Sequence, residues 1–380
     1  MADVLRHAGR TPGNPDPADP VQPLLLAELS LRVPRDRRHC LTYETLRAAT
    51  TPLILNGMSA HHAGNGRFRN PHAMPPAEDR WLRDRLPFFW GMARRGREQV
   101  SVPEGHVLAR SEVEAGLQRH HNSDSYTWLG HAAFLIRLNG ATILTDPYLS
   151  DHAGPLNRFG PRRYVPPAIA PAELPPVDIL TVSHNHYDHL DLATLKALPH
   201  KHRTTAVVPL GLGRYFHHHG FRAVIELDWY DRTEQNGVSV TFTPALHFSR
   251  RGLFDRNRSL WGGFAYAAGH RNLFFSGDTA YGPIFREIGE KLGPFDTAFV
   301  GIGAYEPQVI MRNSHTTPEQ AAQLARDISA KRVVGMHWGT VILSEEPPFE
   351  AAERFRRGAA AVGYAPGEAD VMPIGGTRAV

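Results

Sequence analysis

The chain has 380 residues, of which 42% are hydrophobic, so it can bury the core of one elaborated domain or of a domain with an extension. Its 42 basic and 38 acidic residues leave a net charge of +4, and the cations are almost all dispersed arginines, which does not favour a nucleic-acid-binding protein. The single Cys40 excludes an internal disulfide, and no apolar stretch reaches the roughly 18 residues that span a bilayer.

The N-terminal third shows little periodicity. Residues 1–23 are rich in Pro, Gly and Asp and are predicted to be disordered. They contain no apolar core of a signal peptide, so we expect a cytoplasmic protein. Residues 24–124 are interpreted as an N-terminal extension that packs on a main domain at 125–380. Short helical runs are predicted at Val21–Leu31 and Thr42–Ala49.

One segment of this extension, Arg80–Arg97, alternates arginines with large apolar residues. Trp81, Phe88, Phe89, Trp90 and Met92 are all interleaved with arginine. This pattern is typical of a segment that lies in the interface of a membrane. Packing of the extension against the main domain explains the same pattern, and both interpretations stay open.

From Tyr126 onward, apolar runs alternate with helical patterns, which predicts a layered α/β domain. Thr317-Pro318-Glu319-Gln320 predicts a capped helix start, and further helices are predicted at Leu190–Leu198 and Gly282–Leu292. Strands are predicted at His131–Leu138, Ala141–Thr145, Ile179–Val182, Thr205–Val208, Ala223–Leu227, Ser239–Thr243, Leu260–Ala267, Asn272–Ser276, Thr297–Ile302 and Arg332–Met336.

Four metal-ligand side chains follow the apolar run Val177–Val182 within six residues. They are His184, His186, Asp188 and His189. Imidazoles with a carboxylate suit zinc, with iron or manganese as substitutes. A histidine-rich surface turn is the alternative. We assign that interpretation to the other histidine clusters, which lack both a carboxylate and a preceding strand: His61-His62, His120-His121 and His217–His219.

Three more candidate ligands stand where a predicted strand ends. His247, Asp278 and His337 each follow an apolar run, which is where scaffolded sites are found. Seven ligands are enough for two adjacent cations. Asp146 ends another strand and is predicted to accept the free N–H of a ligating imidazole; a turn-forming Asp before Pro147 is the alternative.

Together these residues resemble the metallo-β-lactamase superfamily and, more narrowly, the N-acyl-phosphatidylethanolamine-hydrolysing phospholipase D family. The resemblance extends from Trp128 to about Leu343, with Gly66-Arg67-Phe68-x-Asn70-Pro71 similar to an upstream family segment. It implies an αββα sandwich, with two sheets face to face and helices outside. The motifs that carry it are Trp128-Leu129-Gly130-His131-Ala132, Thr145-Asp146-Pro147, Ser183 to Asp191, Val208 to Leu212, Glu226 to Trp229, Gly277-Asp278-Thr279, Gly293 to Asp296, Gly303 to Pro307 and His337-Trp338-Gly339-Thr340.

The resemblance also implies how the ligands divide. His184, His186 and His247 would hold one Zn²⁺, and Asp188, His189 and His337 the second, with Asp278 bridging; Asp188 and Asp278 would also be catalytic groups. His315 would contact the phosphate or donate a proton to the leaving group.

The implied substrate is an N-acyl-phosphatidylethanolamine, cleaved to phosphatidic acid and an N-acylethanolamine. Peripheral membrane contact would then involve Arg80–Arg97. The alternatives are another hydrolase of the same fold, acting on a lactone, a cyclic nucleotide or a nucleic acid, and a metal-bound binding protein without activity.

Overall fold

The structure is a computed structural model that describes residues 60–72, 79–96 and 99–380. The predicted disorder of residues 1–23, both helical runs predicted before residue 50, and Cys40 lie outside this part of the chain. The boundary at residue 125 stays a prediction.

The first sheet has seven strands in the order β14-β1-β2-β3-β4-β5-β6. The pairs from β14 to β3 are antiparallel and those from β3 to β6 are parallel. Its strands are β1 (Ser125–Gly130), β2 (Ala133–Leu138), β3 (Ala141–Thr145), β4 (Ile179–Thr181), β5 (Thr205–Pro209), β6 (Ala223–Leu227) and β14 (Thr377–Ala379).

The second sheet also has seven strands, in the order β13-β12-β11-β10-β9-β8-β7. Its pairs from β7 to β10 are antiparallel and those from β10 to β13 are parallel, so it repeats the plan of the first sheet. Its strands are β7 (Arg232–Gln235), β8 (Val238–Thr243), β9 (Gly263–Ala268), β10 (Arg271–Phe275), β11 (Phe295–Gly301), β12 (Ala330–Met336) and β13 (Ala369–Asp370).

Helices connect the parallel strands. The cap predicted at Thr317 is confirmed, because its side chain accepts the backbone N–H of Gln320 at the start of the helix Pro318–Asp327. The helices are a π-helical turn (Trp81–Arg85), α1 (Leu86–Arg95), α2 (Arg110–Arg119), α3 (Leu192–Ala197), α4 (Ile284–Leu292), α5 (Gln308–Met311), α6 (Pro318–Asp327) and α7 (Glu350–Ala361), with short 3₁₀ turns at Pro155–Asn157, Pro171–Glu173, Lys201–Arg203 and Gly213–Tyr215.

The two sheets pack face to face, as the sandwich prediction requires. Phe134 of β2 contacts Phe299 of β11 with ring centroids 4.5 Å apart, and both are buried in one apolar cluster. A second cluster covers the outer face of the first sheet, where Leu180 of β4 lies with Leu195 of α3. The predicted αββα fold is therefore confirmed.

Several elements differ from the predictions. The strand expected from His131 begins at Ala133, because His131 has a left-handed φ of 55° that a strand cannot contain. Strand β1 was not predicted: all six of its residues are buried, so it lacks the alternation that marks a half-buried strand. Helices α2 and α7 were not predicted either. Within the described residues, no helix is long and apolar enough to cross a membrane.

Candidate metal centre

The predicted ligands meet at one edge of the sandwich, where strands of both sheets end. The loop after β4 carries His184, His186, Asp188 and His189, β10 is followed by Asp278, and β12 is followed by His337. Because parallel neighbours end at the same edge of a sheet, ligands far apart in sequence come together here. Five of the seven predicted ligands are at most 4% exposed: His184, His189, His247, Asp278 and His337.

The first group contains His184, His186, His247 and Asp278. The Nε2 atom of His184 lies 2.9 Å from Nδ1 of His186, and Nε2 of His247 lies 3.3 Å from that same Nδ1. The Oδ2 atom of Asp278 is 3.8 Å from His184 Nε2 and 3.9 Å from His247 Nε2. Two ligand atoms on a tetrahedral zinc ion are about 3.3 Å apart, so these spacings suit one cation.

The second group contains Asp188, His189 and His337, with His131 beside them. The Oδ2 atom of Asp188 lies 3.5 Å from His189 Nε2 and 3.3 Å from His337 Nε2. Asp278 faces this group as well, with Oδ2 3.0 Å from His189 Nε2 and Oδ1 3.3 Å from His337 Nε2. Asp278 is thus the side chain shared by the two groups.

The backbone before Asp278 explains its position. Gly277 has a φ of +56°, and a Cβ atom there would lie 2.5 Å from the carbonyl oxygen of Gly262 and 2.7 Å from Cβ of Ser183. Only glycine allows this close approach. The turn therefore brings Asp278 against the loop that begins at Ser183.

Hydrogen bonds behind the imidazoles orient three of the rings. His184 Nδ1 lies 2.9 Å from Ser183 Oγ, and His247 Nδ1 lies 2.8 Å from the carbonyl oxygen of Ser314. His189 Nδ1 lies 2.6 Å from Oδ2 of Asp146. When Nδ1–H donates outward in this way, the Nε2 lone pair points into the cluster, as a metal ligand requires.

Asp146 supports the loop of residues 183–191, here called the metal loop, through two further hydrogen bonds. Its carboxylate accepts the backbone N–H of Ser183 at 2.6 Å and the Ser183 hydroxyl at 2.5 Å. Its own φ of 32° is left-handed, as is that of His337 at 62°. Such conformations cost of order 1–3 kcal/mol in a non-glycine residue and concentrate at functional sites.

Burial and charge divide the imidazoles into two classes. Burial lowers the pKa of His186 to about 4 and lowers the pKa of His184 and of His247 well below the ordinary value, so these rings are neutral. Burial alone would also lower the pKa of His337, but Asp278 and Asp188 raise it to about 9.

The pKa of His189 is raised in the same way. Burial acts to lower it, but Asp278, Asp188 and Asp146 outweigh burial. The three carboxylates around this ring require a positive charge. A metal cation can supply this charge.

Unpaired polar atoms also indicate a cation. The Nε2 atoms of His189 and His337 and the Oδ1 atom of Asp278 are buried. Although they lie close to other polar atoms, they make no hydrogen bond of acceptable geometry among the described residues. Buried polar atoms are normally paired. Since all three atoms face the same space, the donor set fits divalent metal ions with nitrogen and oxygen ligands.

His315 lies at the rim of the cluster. Its Nδ1 atom is 4.0 Å from Oδ2 of Asp278, and its ring centroid is 5.2 Å from that of His247. Its side chain is 15% exposed, similar to that of Asp188 at 13%. Burial lowers the pKa of His315 to about 4, so the imidazole is neutral.

Two contributors were not assigned from the sequence. His131, in the turn between β1 and β2, lies 3.0 Å from Oδ2 of Asp188 through its Nε2 atom. The Oδ1 atom of Asn70 accepts the backbone N–H of His247 and the indole N–H of Trp261, each at 3.1 Å. Both residues belong to motifs of the family resemblance, and those motifs are the feature of the sequence from which a role at the site could have been predicted.

The interpretation of His61-His62 as solvated surface is wrong. Nε2 of His61 lies 2.6 Å from Oδ1 of Asp228, and Nε2 of His62 lies 2.7 Å from Oδ2. His61 is buried. These distances are those of hydrogen bonds to a carboxylate, so the pair clamps the segment before Asn70 onto the end of β6. The exposed His121, His217 and His218 agree with the surface interpretation.

Comparison with known proteins assigns the family. Residues 141–338 match the family model described as the beta-lactamase superfamily domain, which is more than half of the chain. The chain belongs to the metallo-β-lactamase superfamily.

The relatives agree with this assignment. The chain is 41% identical over 225 residues to "N-acyl-phosphatidylethanolamine-hydrolyzing phospholipase D 1" of Caenorhabditis elegans, covering 56% of this chain and 63% of the relative. It therefore spans less than two thirds of that protein. It is also 31% identical to a metal-dependent hydrolase of Rubrobacter xylanophilus, covering 56% of this chain and 81% of the relative.

Solved structures share the fold at low sequence identity. The diiron β-hydroxylase CmlA from Streptomyces venezuelae superimposes with a TM-score of 0.50 at 23% identity, covering 68% of this chain and 54% of that protein. At this identity the likeness concerns the fold alone. The predicted resemblance to the superfamily and to its phospholipase D members is confirmed by the sequence relatives.

Proposed function

We propose that this protein is a binuclear metal-dependent phosphodiesterase of phospholipase D type. The observation that carries the proposal is the shared position of Asp278, whose two oxygens face both groups of ligands. His184, His186 and His247 would hold one Zn²⁺, and Asp188, His189 and His337 would hold the other. Iron or manganese can substitute in such a donor set. When bound, the two ions supply Lewis-acid charge and lower the pKa of water.

The charge of the centre favours an anionic substrate. Two divalent cations exceed the negative charge of Asp188 and Asp278, so the centre attracts a phosphodiester. His315 is neutral and partly exposed at the rim, which suits contact with a phosphoryl oxygen or proton donation to the leaving oxygen. The ligands themselves are held from behind by Asp146, Ser183 and Ser314, so that little reorganisation is needed when substrate binds.

Apolar side chains on loops beside the metal loop support a lipid substrate. Leu253 and Phe254 are 79% and 84% exposed. Their loop is attached to the metal loop by the guanidinium of Arg251, which donates to the carbonyl oxygens of Asn185 at 3.1 Å and Leu190 at 2.7 Å. Exposed apolar side chains that form a contiguous patch mark interaction surfaces, and Leu253 and Phe254 are adjacent in the sequence.

A second loop has the same character. Leu156 and Phe159 are 84% and 62% exposed, and the start of this loop is joined to the metal loop through the Ser150 N–H, which donates to Asp191 at 3.0 Å. Arg158 and Arg162 are exposed on it, as are Arg250 and Arg256 on the other loop. Arginines beside apolar tips suit the anionic headgroup layer of a membrane.

The substrate we propose is therefore an N-acyl-phosphatidylethanolamine-like phospholipid, cleaved at the P–O bond distal to the glycerol to give phosphatidic acid and an N-acylethanolamine. The similarity to the Caenorhabditis elegans phospholipase D supports this choice. The protein would reach the lipid by peripheral contact.

A substrate panel tests the proposal. Protein loaded in turn with zinc, iron and manganese is given N-acyl-phosphatidylethanolamine in vesicles, a soluble bis-aryl phosphodiester, a lactone and single-stranded DNA. We expect both phosphodiesters to be hydrolysed, with release of N-acylethanolamine from the lipid. Faster cleavage of the lactone or the DNA than of the lipid would assign the centre to another reaction of this fold.

A further inference from the structure

His131 occupies a constrained position between the two sheets. It follows β1 with a left-handed φ of 55° and is 1% exposed. Its backbone N–H donates to the Thr340 hydroxyl at 2.9 Å, and its carbonyl oxygen accepts the backbone N–H of His337 at 3.0 Å. The indole N–H of Trp128 donates to the same oxygen at 2.8 Å. The backbone of His131 thus holds His337, the residue that follows β12.

The side chain of His131 contacts the second group of ligands. Its Nε2 atom lies 3.0 Å from Oδ2 of Asp188. Its ring centroid is 4.0 Å from that of His337 and 5.5 Å from that of His189. Tyr148 packs edge-on against the other side, with centroids 5.7 Å apart. The ring is therefore fixed from several directions, with one nitrogen on the carboxylate.

Asp188 needs such a partner. It stands in a loop rather than in a strand, and its Oδ2 atom faces both His189 and His337. A carboxylate oxygen has two lone pairs, so one can accept a hydrogen bond while the other binds a cation. A free carboxylate in a loop would lose rotational freedom on binding metal, which weakens binding.

We propose that His131 is a positioning residue for the second metal ion: it donates Nε2–H to Asp188 and packs on His337, which keeps these two ligands at metal-binding spacing. This inference rests on the proposed binuclear centre. It predicts an effect confined to one ion of the pair, because the ligands that the His131 ring contacts, Asp188, His189 and His337, all belong to the second group.

Two variants separate this role from simple packing. His131→Leu keeps the volume and removes the donor, whereas His131→Gln places an amide N–H near the position of Nε2. Both residues carry a Cβ, so the cost of the left-handed backbone is common to both and cancels in the comparison. His218→Leu, on the exposed surface, is the matched control.

The measurement is a stepwise metal titration against a chromophoric chelator, made on the full chain and repeated with Co²⁺ while the visible absorption is recorded. We expect His131→Leu to weaken the second ion by about 10–100-fold, as losses of ligand-orienting hydrogen bonds do, and to leave the first within about threefold. His131→Gln should recover most of the loss with the wild-type Co²⁺ spectrum. Melting of the metal-free variants checks that they are folded.

Two results would overturn the inference. Wild-type affinity for both ions in His131→Leu would mean that the ring only fills space. Loss of the second ion in both variants, with the metal-free proteins still folded and the first ion bound as in wild type, would mean that His131 is itself a ligand. Failure of the proposed function looks different, since wild-type protein would then bind a single ion or leave phosphodiesters intact.

Discussion

Asp278 and His189 are 3.0 Å apart, from Oδ2 to Nε2, although their loops follow strands of different sheets. Neither atom faces solvent, since Asp278 is 4% exposed and His189 is fully buried. A buried carboxylate opposite a buried imidazole needs a positive charge between or on them. This relationship makes Asp278 the most sensitive position of the proposed centre.

Replacing Asp278 should remove metal and activity together. Asp278→Ala and Asp278→Asn both lose the charge that balances two cations, while Asn keeps the shape. We expect at least one of two zinc ions to be lost and turnover to fall by more than about 100-fold, since metal binding depends on ligand charge. Metal analysis after dialysis, alongside an assay, measures this. Two tightly bound ions in Asp278→Asn would contradict the bridging role.

His315 should behave in the opposite way. It lies 4.0 Å from Asp278 and is partly exposed, so His315→Ala should keep both ions but slow turnover by about 10²–10⁴-fold, the usual contribution of a positioned acid or base. His315→Gln keeps a hydrogen-bond donor and should recover part of the rate if contact with phosphate is its main role. Loss of zinc from His315→Ala would place the residue among the ligands instead.

The aromatic residues of the segment Arg80–Arg97, predicted to contact a membrane, include both buried and exposed side chains. Phe88 is 6% exposed and belongs to the interior, whereas Phe89 and Trp90 are 54% and 73% exposed. The buried position of Phe88 agrees with packing of this segment against the rest of the protein. The proposal of membrane contact is therefore confined to Phe89 and Trp90. The side chain of Trp81 lies outside the described part.

Replacing Phe89 and Trp90 by Ser should weaken binding to anionic vesicles by about 10-fold or more, because each large apolar side chain contributes about 1.5–3 kcal/mol when buried. Hydrolysis of vesicle substrate should slow, and a soluble phosphodiester should be cleaved at the wild-type rate. Phe88→Ser, as the comparison, should lower the melting temperature. Equal loss on both substrates in the double variant would reject membrane contact.

The clamp on Asp228 should contribute stability that depends on pH. Burial acts to raise the pKa of Asp228, but the hydrogen bonds from His61 and His62 outweigh it and lower that pKa below the ordinary value. A lowered carboxyl pKa stabilises the fold above the unfolded value of about 4 and is lost as pH falls through the folded value.

Asp228→Asn should therefore reduce the free energy of unfolding by about 1–2 kcal/mol at pH 7, and the difference from wild type should shrink below about pH 4. Denaturant unfolding at several pH values measures it, with the exposed Glu234→Gln as the control. A difference that stays constant with pH would mean that the clamp acts through packing alone.

The metal loop was accessible to sequence reasoning because its signal is local. His184, His186, Asp188 and His189 lie within six residues after an apolar run, and the ends of parallel strands meet at one edge whatever the details of packing. Asp278 and His337 could be predicted for the same reason, because each follows a predicted strand. The family resemblance then supplied the division of ligands and the αββα fold.

Only the tertiary structure could place His131, Asn70 and Asp228. Each acts through a hydrogen bond to a residue at least 57 positions away, and no period or spacing records such a contact. His131 belongs to a motif of the family resemblance, but the sequence predicts it as the start of a strand, because a left-handed residue in a turn has no hydrophobic signature. The sequence by itself thus determined which side chains could bind metal, since strand ends are local features. Packing of the two sheets decided which neighbours hold those side chains in place, because that depends on contacts between segments distant along the chain.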